Sequence, residues 1–182
     1  MTGSQGQPRP NHDELKVQHE LIVARALVAY LRTIGCEIGD PRPGDITKRE
    51  PDAVCSSPFG PLGIEVASGY YNDAAAKAVW DAVRRGSDTV IIPVHQKVLN
   101  LNGTLAATWS RTMAEHLSKP YSMPTYLVLD GTLAGGSRLS DLPRIMSRVT
   151  MPPKGQFPAI YVALLYDTDD GIKIEIEEIA RW

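Results

Sequence analysis

Three acidic residues stand at positions where ordinary surface charge is out of place. Glu20 is spaced with Val17, Ala24 and Leu27 at i−3, i+4 and i+7, so a helix would carry its carboxylate on a partly apolar face. Asp52 follows Pro51 and opens a β-like run, and Glu65 lies on the next such run across a short turn, so adjacent strands could bring the two side chains to one end of a sheet. Carboxylates gathered in this way repel one another and persist cheaply only when a cation or a proton neutralises them. Their hard oxygens suit Mg²⁺ or Mn²⁺, and the pattern therefore predicts a divalent-metal site. Singly, each has a plainer reading: an exposed helix residue, a strand-start residue favoured after proline, and an edge-strand charge that discourages aggregation. Their joint order carries the metal reading.

The elements that must position these residues are legible in the hydrophobic spacing. Val17, Leu21, Ala24, Leu27 and Leu31 predict a helix that starts near Asn11, where Asn11 and Glu14 fit a capping box, and stops at Gly35. The proline-rich segment from Asp40 to Pro51 reads as a loop with a short strand at Ile46 and Thr47. Asp52–Ser57 and Leu62–Ser68, divided by Pro58-Phe59-Gly60-Pro61, predict an antiparallel hairpin. A helix from Asn72 or Asp73 through Arg85, a buried strand over Thr89–Val94 and a helix over Leu105–Ser118 should follow. Next come a strand at Thr125–Asp130 and a helix between Leu139 and Val149. The apolar run Phe157–Tyr166 and the alternating Ile172, Ile174 and Ile176 predict two closing strands around an Asp170-Gly171 turn. Mixed in this order, the elements predict an α/β fold with a mixed central β-sheet flanked by helices. They form one domain over residues 11–182, preceded by a disordered lead-in, Met1–Pro10, rich in Gly, Gln, Ser and Pro.

A helix glutamate, then Pro51-Asp52, then Gly63-Ile64-Glu65-Val66-Ala67 in a hairpin, then a helix, resembles the PD-(D/E)XK nuclease superfamily with its restriction-endonuclease-like core. The resemblance covers roughly Asn11 to Gly86. It implies that Asp52 and Glu65 hold a catalytic metal, that the backbone carbonyl of Val66 assists, and that Glu20 completes the metal or water shell. The reaction it implies is metal-dependent phosphodiester hydrolysis, with nucleic acid, DNA first, as partner and a homodimer as a compatible assembly. The family's lysine, two residues beyond the strand acid, falls on Ala67, and Lys77 on the following helix is the substitute the sequence offers. Ser68, Tyr70 and Tyr71 line the connection between them. The alternative expectation is a non-catalytic domain of the same fold that binds nucleic acid or a protein partner.

Other motifs lack a working part. Leu129-Asp130-Gly131-Thr132 resembles the end of the haloacid-dehalogenase phosphatase signature, but Val128 stands where the nucleophilic aspartate should be, leaving a strand-ending Asp-Gly turn. Asp167, Asp169 and Glu178 fail the EF-hand pattern because Ile172 occupies its glycine position. Gly135-Gly136 lacks the spacing of a phosphate-binding loop. His12, His19, His95 and His116 do not fall into zinc-protease spacing, and no serine-hydrolase elbow is present. Cys36 and Cys55 form neither a disulfide framework nor a zinc motif and read as two buried thiols. Among 182 residues, 43% hydrophobic and 22% charged, the net charge of −2 announces neither a nucleic-acid nor a membrane partner. Modest basic groups at Lys48-Arg49, Arg84-Arg85 and Arg138, Arg144, Arg148 and Lys154 could track phosphates. The most apolar stretch, Leu21–Leu31, is broken by Arg25 and too short for a span of ~20 residues, so a cytoplasmic location is expected.

Overall fold

A computed structural model describes residues 12–68, 101–132, 139–152, 157–168 and 171–182. The first helix, α1, runs His12–Thr33 and buries Ala24, Leu27 and Leu31 of the predicted stripe together with Val23 and Val28. Val17 and Ile22 are exposed, so the apolar stripe narrows toward the N-terminus, where Glu20 takes the buried position. Gly35, at φ 86°, turns the chain out of the helix while the Cys36 N–H closes onto the Leu31 carbonyl at 2.9 Å.

The loop that follows corrects one expectation. Ile46 and Thr47 belong to a 3-10 turn, Ile46–Lys48, and the short strand, β1, is Arg42–Pro43. The cause is local: Asp45 accepts from the Thr47 N–H and hydroxyl, an arrangement that competes with a strand ladder. Strands β2 (Ala53–Ser57) and β3 (Gly60–Ser68) form the predicted antiparallel hairpin, with Ser57 paired to Gly60 across the turn.

Helix α2 spans Leu101–His116, beginning and ending earlier than the predicted Leu105–Ser118. After β4 (Thr125–Asp130), the predicted helix at Leu139–Val149 is a 3-10 turn, Leu139–Asp141, and one short helix, α3 (Leu142–Met146). Pro143 fits only a first helical turn and so sets where α3 starts. Strands β5 (Ala159–Thr168) and β6 (Gly171–Arg181) close the fold. Thr168 pairs with Gly171, so Gly171 belongs to β6 rather than to the expected turn.

Among the described residues, six strands lie in sequence order in one mixed sheet. β3, β4 and β5 run parallel at its centre, and β2 and β6 pair antiparallel to the outer central strands. Side chains alternate between two cores. Ile64, Val66, Val128, Tyr161 and Ala163 face α1, while Ala67, Leu127, Leu129, Ile160 and Val162 pack with Trp109 and Met113 of α2 and Ile145 of α3. Parallel strands covered on both faces account for the continuous apolar sequences of β4 and β5. Cys55 is buried, whereas Cys36 is half-exposed rather than buried, and both are free.

Among the described residues, no helix is long and apolar enough to cross a membrane. The expected lead-in at 1–10, Tyr70 and Tyr71, the helix bearing Lys77 and the strand at Thr89–Val94 lie outside the described residues.

Candidate active site

Asp52 is held at the start of β2 by contacts that only small neighbours permit. The Gly44 N–H donates to the Asp52 carbonyl at 3.0 Å, and a Cβ on Gly44 would meet the Pro51 carbonyl oxygen at 1.7 Å. On β3, a Cβ on Gly63 would lie 2.4 Å from Pro51 Cγ and 2.6 Å from Thr125 Oγ1. Two glycines thus let the loop and the hairpin close on Pro51 from both sides. The Asp52 side chain then continues the ladder where β2 has not yet begun, its Oδ2 accepting from the Val66 N–H at 2.8 Å. Gly63→Ala is expected to cost about 1–3 kcal/mol, the usual size of an overpacked site, and to shift Asp52. Urea denaturation measures the first effect, and the Val66 amide resonance reports the second.

Glu65 precedes Val66 on β3 and points to the α2 side of the sheet. Its Oε1 receives the Lys119 ammonium at 2.6 Å and lies 3.0 Å from His116 Nδ1. The Lys119 Nζ is also 3.4 Å from His116 Nε2, so a proton on Nδ1 lets His116 donate to Glu65 and accept from Lys119. Burial pushes the Glu65 carboxyl up, but the hydrogen bonds and charges of His116 and Lys119 outweigh it and hold Glu65 down at about 2. The Tyr121 hydroxyl, 3.3 Å from His116 Nδ1, is kept neutral by burial and by the adjacent Glu65 charge.

Among the described residues no cation forms an ion pair with Asp52, and Lys16 lowers its pKa only weakly from a distance. Burial, followed by repulsion from Glu65 and Glu20, pushes its carboxyl up to about 7, against the Val66 hydrogen bond. Glu20, only 5% exposed on α1, is raised chiefly by burial, with Glu65 adding to the shift; Lys16, one turn earlier and 3.2 Å away, opposes it. Burial works against the Lys16 ammonium, yet Glu20, Asp52 and Glu65 together raise its pKa. The three predicted acids are thus brought into one electrostatic neighbourhood from three elements, with Glu20 on the α1 side, Glu65 on the α2 side and Asp52 at the strand end.

A second polar group lies at the carboxyl ends of the parallel strands, the place where open α/β sheets commonly bind ligands. Asp130, fully buried at the end of β4, accepts from Ser68 Oγ of β3 at 3.0 Å and lies 2.7 Å from His19 Nε2 of α1. Its other oxygen accepts from the Thr132 N–H and hydroxyl at 2.9 and 2.7 Å. The Asp-Gly turn expected here exists, but it is also the buried anchor of a four-residue network.

No known family model, curated protein or solved structure matches the chain. The site must be read from its own chemistry. Among the described residues, no three His, Cys, Asp or Glu side chains converge as a ready-made metal cage. The donor set is nonetheless of the kind a hard divalent cation takes, because Asp52 is a buried carboxylate repelled by Glu65 and Glu20 and such an ion would relieve that repulsion. Mg²⁺ in particular is ordinarily held by one or two carboxylates together with substrate phosphate and water, not by a full protein cage. The sequence reading overlooked Lys16, Lys119 and Tyr121, and it set aside His19, His116 and Asp130. For Asp130 a signal existed: a carboxylate that ends an otherwise apolar buried strand. Lys119 lies beyond the end of α2, and its approach to Glu65 depends on how that helix packs on the sheet.

Proposed function

We propose that this chain is a divalent-metal-dependent phosphodiester hydrolase acting on nucleic acid, DNA first, with a restriction-endonuclease-like core. The observation that carries this reading is Asp52: a carboxylate fixed to the peptide beside Glu65 and driven up to about 7 by burial and by Glu65 and Glu20. Folded proteins seldom retain such crowding without a use for it, and perturbed carboxylates cluster at functional sites. The mixed sheet with helices on both faces is compatible with the core that the sequence resemblance implies.

Asp52 and Glu65 would hold Mg²⁺ or Mn²⁺, with the Val66 carbonyl as a further oxygen and Glu20 in the metal or water shell. The ion would supply charge for the scissile phosphate and acidify the attacking water. Glu20, buried on α1 with a charge that acts on Asp52, would orient that water. The Val66 N–H fixes the Asp52 carboxylate so that little rearrangement accompanies reaction.

A second reading has its own observation. Ala67 replaces the motif lysine and Glu65 is already paired with Lys119 and in contact with His116, as suits a non-catalytic domain that binds nucleic acid or a protein partner. Incubating single- and double-stranded DNA and RNA with the protein and Mn²⁺ separates the two. The hydrolase reading expects cleavage that Asp52→Asn and Glu65→Gln each reduce at least about a hundredfold. Binding of nucleic acid without cleavage, or cleavage unaffected by both substitutions, rejects it.

A further inference from the structure

We infer that Lys119 is an exchangeable counter-ion: it neutralises Glu65 until that carboxylate is given to a divalent cation, and it then pairs with a phosphate oxygen of the substrate. The inference rests on the hydrolase reading above and adds a residue that the sequence did not nominate.

The geometry suits an exchange. Glu65 is buried and fixed on β3, whereas the Lys119 side chain is 47% exposed and reaches in from solvent to a 2.6 Å contact. The Lys119 backbone is tied on both sides, its N–H to the His116 carbonyl at 3.2 Å and its carbonyl to the Tyr121 N–H at 3.1 Å. The side chain can therefore swing about a fixed root without unpacking the core. His116 stays beside Glu65 after the swing, so the buried carboxylate keeps a hydrogen-bonding neighbour.

Charge points the same way. Among the described residues and above about pH 7, where Asp52 is ionised, Glu20, Asp52 and Glu65 with Lys16, Lys119 and a neutral His116 leave one net negative charge, which one divalent cation converts to one positive charge. That balance matches a single phosphodiester anion. Lys16 is less suited to move across, because its partner is Glu20, one turn along the same helix at 3.2 Å. At the motif position the buried Ala67 offers no charge at all.

A counter-ion that competes with a metal and then assists the substrate has effects of opposite sign. Mn²⁺ alone is titrated into wild-type protein, Lys119→Met, Lys119→Arg and Glu65→Gln at pH 8.5, with bound ion read by electron paramagnetic resonance, and Mn²⁺-dependent DNA cleavage is measured alongside. Lys119→Met is expected to bind Mn²⁺ about tenfold more tightly, the worth of one charge-assisted hydrogen bond, yet to cleave at least about tenfold more slowly. Lys119→Arg, which keeps the charge, should retain wild-type Mn²⁺ affinity and part of the rate. In the wild-type protein, Mg²⁺ should shift the Lys119 ammonium nitrogen resonance, a readout that needs no variant. Unchanged or weaker Mn²⁺ binding in Lys119→Met, an unchanged cleavage rate, or a Lys119 resonance indifferent to Mg²⁺ overturns the inference, and the hydrolase reading survives if Glu65→Gln still abolishes binding and cleavage. Absence of Mn²⁺ binding by the wild-type protein overturns both.

Discussion

Asp130→Ala is expected to destabilise the folded chain by about 3–5 kcal/mol, the cost of removing one partner from a buried charged network. The aspartate is fully buried, and its carboxylate is the shared acceptor for His19, Ser68 and both donors of Thr132. Alanine would leave those donors facing each other across a dry gap, where each unmatched group adds a desolvation penalty. Asp130→Asn should cost less, since the amide oxygen can still accept two of the four contacts. The pH dependence has a definite sign. Burial pushes Asp130 up, but the hydrogen bond and charge of His19, with help from Thr132, hold it below its ordinary value of 3.8. The folded state therefore binds fewer protons than the unfolded one in that region, and the network's stabilisation is present above about pH 4 and lost on further acidification. Urea denaturation of wild type and Asp130→Ala at neutral pH and at pH 3.5 checks both claims. A neutral-pH difference under about 1 kcal/mol would mean that the network is dispensable.

The network also shows what a sequence exposes and what it conceals. The α1 stripe, the β2–β3 hairpin, β4 and the β5–β6 pair follow from spacing, because apolar periodicity is imposed by the same burial that defines each element. The mixed sheet follows from their order. The strand expected at Ile46–Thr47 failed because a local side-chain cap, Asp45 on Thr47, defeated β-propensity. Glu20, Asp52 and Glu65 were visible as acids at odd positions, and they do share one electrostatic neighbourhood. What neutralises them was not visible. Lys119 and His116 reach Glu65 from 54 and 51 residues along the chain, and His19 reaches Asp130 across 111. Partners so distant are set by tertiary packing, which hydrophobic periodicity does not encode. Lys77 lies outside the described residues; among the described ones, Lys119 is the lysine that reaches Glu65.

Asp52→Asn should make the protein more stable above neutral pH while removing the activity proposed for it. Asp52 titrates near 3.8 when unperturbed and at about 7 in the folded chain, because burial and the charges of Glu65 and Glu20 oppose its ionisation. Between those values the folded state holds a proton that the unfolded state has released, so wild-type stability falls as pH rises through the window. The penalty is complete above about pH 7 and absent below about pH 4. Asparagine keeps an oxygen for the Val66 N–H and carries no charge, so it lifts the penalty, by on the order of 2–4 kcal/mol at pH 8. Glu65 runs the opposite way: held down at about 2, it contributes stability above its ordinary value of 4.5 that is lost on acidification. Wild type should therefore be most stable in the weakly acidic range, and Asp52→Asn should lose only the decline between about pH 4 and pH 7. Melting temperatures of both proteins from pH 4 to 9 test this directly, and parallel curves would remove the strained carboxylate on which the hydrolase reading depends. A divalent ion that binds only the folded state should raise the wild-type melting temperature most at pH 8. It should do little for Asp52→Asn, because the repulsion it relieves in wild type is the repulsion the substitution has already removed.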